Sequence, residues 1–203
     1  MADYFTAAPW YMPPVVSALV VAPVEEPLTL DEAKLRAGLD WAPGDPRDAL
    51  MKSFIAAARA QVELDTGLAL LTQTRAITFS DATWFAADNG VVPLPMQSLP
   101  LQSLTDPGGN PVSPTTYRTG YEQRLSILRF ASGFQAGTWT AIVGWKTAAD
   151  LAKNAPLLLQ AVGLLVGHMA TAGRDLATVG TIVTPTPQGY RDCIDRYALV
   201  TLA

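Results

Sequence analysis

Apolar residues between positions 28 and 71 recur at three- and four-residue intervals, which predicts two successive helices. The first starts at Thr29, whose hydroxyl can accept the Glu32 amide while the Glu32 carboxylate reaches back to the Thr29 amide, forming a capping box. The second is bounded by Asp45 as N-cap, by Pro46 in the first helical position and by Gly67, which can take the left-handed conformation that stops a helix. Leu50, Phe54, Ile55, Ala58 and Val62 share its apolar face. Arg59 and Glu63 stand one turn apart, and the pattern expects a solvated ion pair on the outside of a packing helix, contributing about 0.3 kcal/mol.

From residue 73 to residue 145 the texture changes to short β-type runs separated by turns. Strands are predicted over 75–79, 91–94, 97–105, 117–119, 124–130 and 139–145, with breaks at Asp88-Asn89-Gly90, at 106–110 and at Ser132-Gly133. In the last of these, Trp139, Ala141, Val143 and Trp145 alternate with Thr140, Ile142 and Gly144, as in a sheet with one buried face. A third helix follows over 154–173 with Pro156 in its first turn. It is apolar nearly all round, the mark of a helix buried on most sides. A Thr/Pro/Gly-rich connection over 176–189 leads to a short amphipathic helix over 190–202, with Ile194 and Tyr197 on one side.

Ahead of all this, Pro9, Pro13, Pro14, Pro23 and Pro27 punctuate an apolar arm with no helix of its own. Such an arm lies on its own body or on a neighbouring subunit, and composition does not separate the two. The expected fold class is α+β: an extended arm (1–26), the first part of a helical frame (27–72), an inserted small antiparallel β unit (73–145), the central helix of the frame (146–175), and a linker with a C-terminal docking helix (176–203).

Composition sharpens this picture. The 203 residues suffice for one domain that buries about 70% of its unfolded surface. Hydrophobic residues make up 49% and charged residues 16%, against about 25% charged in ordinary soluble domains, so surface is left for partners. The net charge of −4, with ten scattered Arg and four isolated Lys, argues against a protein that grips phosphates. Cys193 stands alone, which excludes an internal disulfide and a thiol-rich metal site and suits folding in a reducing cytoplasm. The apolar run over 11–22 lacks a basic start and contains prolines, so it is a poor signal peptide, and it is too short to span a bilayer.

The sequence holds no catalytic constellation. His168 is the one histidine and sits in an apolar helix, where it reads as a core or interface residue. There is no G-x-S-x-G elbow, P-loop, dinucleotide fingerprint or H-E-x-x-H pair, and Gly108-Gly109 reads as a turn because no helix start follows it. Asp31 and Glu32 complement a helix dipole, while Asp192 and Asp195 mix with Arg191 and Arg196 as on a solvated helix face. No enzyme activity, cofactor or metal is expected.

The order of the elements resembles the head-to-tail connector, or adaptor, family of tailed bacteriophages and gene transfer agents. The resemblance rests on Pro27-Leu28-Thr29-Leu30-Asp31-Glu32-Ala33-Lys34, on Ala57-Ala58-Arg59 with Glu63 and Thr66-Gly67, on the proline-started apolar helix that ends near Arg174-Asp175, and on the terminal helix from Tyr190 to Tyr197. These are packing motifs, and their order carries the likeness.

The resemblance implies a structural virion protein without catalysis, whose copies form a ring, commonly twelvefold, beneath the portal at the head vertex. The ring would extend the DNA channel, pass DNA without specific binding, and offer a platform for the next neck protein, a stopper or tail terminator. It would be made in the bacterial cytoplasm and reside in the virion neck, away from any membrane. The resemblance also implies a C-terminal segment that docks on the portal, here Tyr190, Arg191, Ile194, Arg196, Tyr197 and Leu199, with Tyr190, Ile194, Tyr197 and Leu199 expected to order only on that partner. The β insertion is larger than in the smallest members of the family. Two rival readings remain: a β module that binds carbohydrate or a receptor through exposed Trp139 and Trp145, and a hydrolase with carboxylates converging in a pocket.

Overall fold

A computed structural model describes residues 15–80, 91–122, 125–130, 134–175 and 187–198. The expected capping box opens helix α1 (Leu30–Arg36): the Glu32 amide donates to the Thr29 hydroxyl at 3.3 Å, and the Thr29 amide donates to the Glu32 carboxylate at 2.8 Å. Helix α2 (Arg47–Thr66) begins where Asp45 Oδ1 accepts the Arg47 amide at 2.8 Å, and it ends at Gly67 with φ of +73°. Residues beyond Gly67 are held to the chain before the fourth strand by the Gln97 amide on the Gly67 carbonyl and the Ala69 amide on the Leu99 carbonyl, at 2.6 and 2.8 Å. That clasp is why the strand expected from residue 97 starts only at Leu101.

Among the described residues the strands are β1 (Val15–Val21), β2 (Gln73–Phe79), β3 (Val91–Pro93), β4 (Leu101–Thr105), β5 (Tyr117–Glu122), β6 (Leu125–Phe130) and β7 (Gly137–Val143). They make two antiparallel sheets, one of four strands ordered β1-β2-β7-β4 and one of three ordered β3-β6-β5. The larger sheet is not confined to the insertion, because β1 from the N-terminal stretch pairs with β2 from Phe79 back to Thr74. Ile77, Phe79, Trp139, Ala141 and Val143 turn inward. Phe79, Phe130, Phe134 and Trp139 join the two sheets through ring contacts at 5.1 to 5.4 Å.

The opposite face of the larger sheet runs in cross-strand rows: Val16 with Thr78 and Thr138, then Ala18 with Ala76, Thr140 and Thr105, then Val21 with Thr74, Ile142 and Ser103. No residue in these rows is charged.

After β7 comes a short helix absent from the sequence expectation, α3 (Ala148–Asn154), capped by the Thr147 hydroxyl on the Asp150 amide at 3.1 Å. Proline disfavours helical backbone in the residue before it. Accordingly Ala155 leaves the helical region at φ −142°, and α4 (Pro156–Asp175) sets off at 114° to α3. Among the described residues no single helix is long and apolar enough to cross a membrane. Helix α4 touches α1, α2, α3 and α5 (Gln188–Ile194), and its Leu158, Ala161, Val162, Leu165 and Val166 are buried at the centre of the core.

Candidate functional site

Helix α5 splits the six C-terminal residues singled out above. Tyr190, only 3% exposed, and Ile194 are buried against α2 and α4, and the Tyr190 hydroxyl donates to Asp65 Oδ2 at 2.6 Å. Burial, aided by the Asp65 hydrogen bond, raises the Tyr190 phenol far above its usual range. Arg191 and Arg196 face solvent, Tyr197 is half-buried, and Leu199 lies outside the described residues. This departs from the expectation that Tyr190 and Ile194 order only on a partner, because the single chain supplies them with a core. Between α2, α4 and α5 lies a polar cavity of about 570 Å³ lined by Gln61, Asp65, Leu165, Arg191 and Asp195. Cys193 on α5 is buried, and burial together with Asp192 pushes its thiol up.

The Arg59–Glu63 pair corrects a second expectation, since it is not solvated. Glu63 is 3% exposed and gathers four groups: Oε1 accepts the Leu70 amide at 2.8 Å and Gln73 Nε2 at 3.2 Å, Oε2 accepts Arg59 Nη1 at 3.0 Å, and Arg75 acts on it electrostatically. Burial pushes the Glu63 carboxyl up, against the Leu70 amide and Arg59, which pull it down. Arg59 also donates to Glu26 at 2.8 Å, while Arg75 binds Ser17 and Gln97, so the hub ties α2 to β1, β2 and the chain before α1. The signal was present in the sequence: Met51, Ile55, Arg59 and Glu63 form one i,i+4 row, and its first two members are core residues.

A third polar cluster holds the α1–α2 connection. Asp48 accepts from Lys34 Nζ at 2.8 Å, Trp41 Nε1 at 2.7 Å and the Gly44 amide at 2.9 Å. These donors, Lys34 first, push the Asp48 carboxyl down to about 2. Lys34 Nζ, 5.3 Å from the Trp41 ring centroid, and the Arg47 guanidinium at 4.4 Å each make a cation–π contact with that ring. Beside Trp41 an apolar groove of about 710 Å³ runs along Leu39, Leu50, Met51 and Phe54 to Ala170.

Other residues named from the sequence take plain places. Trp139 is 2% exposed, stacks on Phe134 and donates to the Gln135 carbonyl at 2.9 Å, while Trp145 and His168 are half-buried. Gly108-Gly109 forms the expected turn, with Asp106 Oδ1 accepting the Asn110 amide at 2.8 Å. Among the described residues no three His, Cys, Asp or Glu side chains stand together as a metal site would need.

No protein family and no curated protein matches the sequence. Solved structures do match the fold. A chain from the neck of an empty gene transfer agent particle, computed with C6 symmetry, superposes with a TM-score of 0.63 at 21% identity, over 93% of this chain and 97% of that one. A chain from the virion of a native gene transfer agent particle gives 0.62 at 20% identity, over 92% and 97%. A third, from the neck of a native particle computed with C12 symmetry, gives 0.59 at 20% identity, over 93% and 97%. The chain therefore shares, nearly end to end, the fold of chains from gene transfer agent particles, including their necks.

Proposed function

We propose that this protein is a head-to-tail connector of a phage-like particle. Copies close into a ring beneath the portal, join the head to the next neck protein and extend the DNA channel. The observation that carries the reading is the completeness of the match in both directions, 93% of this chain and 97% of a particle-neck chain. A ring of twelve copies is the favoured assembly, in keeping with the C12 symmetry used for one matched neck. Closed rings need heterologous contacts, in which different patches of each copy meet. The low charge, with Leu50, Leu64 and most of β1 exposed, supplies apolar surface for such contacts.

The role asks for no catalysis and no cofactor. Docking on the portal falls to the outward side of α5 through Arg191 and to the turn after it through Arg196 and Tyr197 and onward to Leu199, with Tyr190 and Ile194 anchoring the helix from within. A net charge of −4 suits a conduit, since a basic lumen would hold the phosphates that must slide past. The carbohydrate- or receptor-binding reading loses Trp139, whose burial leaves that ring no face for a sugar to stack on, while Trp145 is half-buried. Deleting the gene from a producing strain tests the proposal: DNA-filled heads without tails are expected, and tailed particles of normal appearance would overturn it.

A further inference from the structure

We infer that the uncharged face of the four-stranded sheet seats the N-terminal arm, residues 4–14, of a neighbouring copy. The inference rests on the ring reading and names one contact that closes the ring. An outward face of an antiparallel sheet is normally polar, with charged side chains interspersed. Here the cross-strand rows carry only Val, Ala, Thr, Ile and Ser, and Val16 at the sheet edge is 56% exposed. Without a cation the face has nothing to offer a phosphate backbone, which sets nucleic acid aside as its occupant. Without an anion it has nothing for a basic segment. It fits a neutral segment with flat, bulky side chains.

Residues 4–14 have that chemistry: Tyr-Phe-Thr-Ala-Ala-Pro-Trp-Tyr-Met-Pro-Pro, aromatic and free of charge. The segment joins the fold at Val15, the first residue of β1, at the edge of the sheet and opposite Phe79. Pro13 and Pro14 argue for delivery to a neighbour. Each proline fixes its own φ and disfavours helical backbone in the residue before it, so the sequence favours extended chain over a tight reversal just ahead of Val15. In a heterologous ring each copy then gives one arm and receives one.

The test uses the full chain. Trp10→benzoylphenylalanine, irradiated in rings assembled with portal, is expected to give cross-links between copies that map to the outer positions of β2 or β7. Thr140→Lys and the pair Trp10→Lys with Tyr11→Lys should each leave circular dichroism and melting unchanged while abolishing rings. Mixed together, the two variants should form one-to-one pairs, because one intact arm then meets one intact face. Cross-links within a single copy, cross-links to other elements, or normal rings from Thr140→Lys would overturn the inference and leave the ring reading standing. Wild-type chains that form no ring and give no cross-link between copies would overturn both.

Discussion

Glu63 is the residue on which most of the fold converges. Its carboxylate sits between Arg59 and the amide of Leu70, with Gln73 and Arg75 close by. Removing it leaves the Leu70 amide and Gln73 Nε2 buried without their acceptor and Arg59 with Glu26 alone, at a cost of about 3 kcal/mol. Glu63→Ala should therefore lower the unfolding free energy by about that amount in urea titrations, a large part of an ordinary domain's stability. Asp48 gives a different signature. Its carboxyl is pushed from the usual 3.8 down to about 2, so the stability it contributes is present above pH 4 and is lost as the pH falls toward 2. Asp48→Asn should be less stable at neutral pH and should show a flatter fall in melting temperature across that acid window. An unchanged acid limb would place the linkage in other carboxylates.

At the scale of elements, the junction between α2 and the sheet depends on Gly144. Its φ is +94°, and a Cβ there would lie 2.1 Å from the Leu71 carbonyl oxygen, a backbone atom that cannot swing aside. Gly144→Ala should cost about 3 kcal/mol or more, whereas Gly38→Ala, at φ +63° in open space, should cost about 1 kcal/mol, both read from thermal unfolding. How legible each element was follows from similar local causes. Helix α2 could be read because Asp45-Pro46 and Gly67 mark its ends, and β7 because Trp139, Ala141 and Val143 alternate with polar neighbours. Strand β1 was read only as an arm, since Val-Val-Ser-Ala-Leu-Val-Val on an edge with a register shift shows no alternation. Helix α3 escaped because its Thr147–Asp150 cap precedes only seven residues, of which Leu151 alone is buried. The Glu63 hub escaped because an i,i+4 pair of opposite charge is usually a surface feature.

At the scale of the whole molecule, the faces left free by the fold decide what it can bind. Tyr190 and Ile194 are committed to the core of their own chain, so attachment to a portal should depend on the exposed Arg191 and Arg196. Arg191→Glu with Arg196→Glu should fold normally by circular dichroism yet fail to sediment with portal rings, and normal co-sedimentation would move the docking site elsewhere. The candidate site was less legible than the fold because partner-facing residues carry no local geometric constraint. Periodicity grouped Ile194 and Tyr197 on one side, and of these Ile194 is buried in the core of its own chain while Tyr197 is half-buried. The most direct measurement of the central claim is averaged electron microscopy of particles carrying this protein with a bulky C-terminal tag. The account predicts extra density in a cyclic ring between portal and tail. Tag density on the capsid shell, on the tail fibres or nowhere on the particle would contradict it.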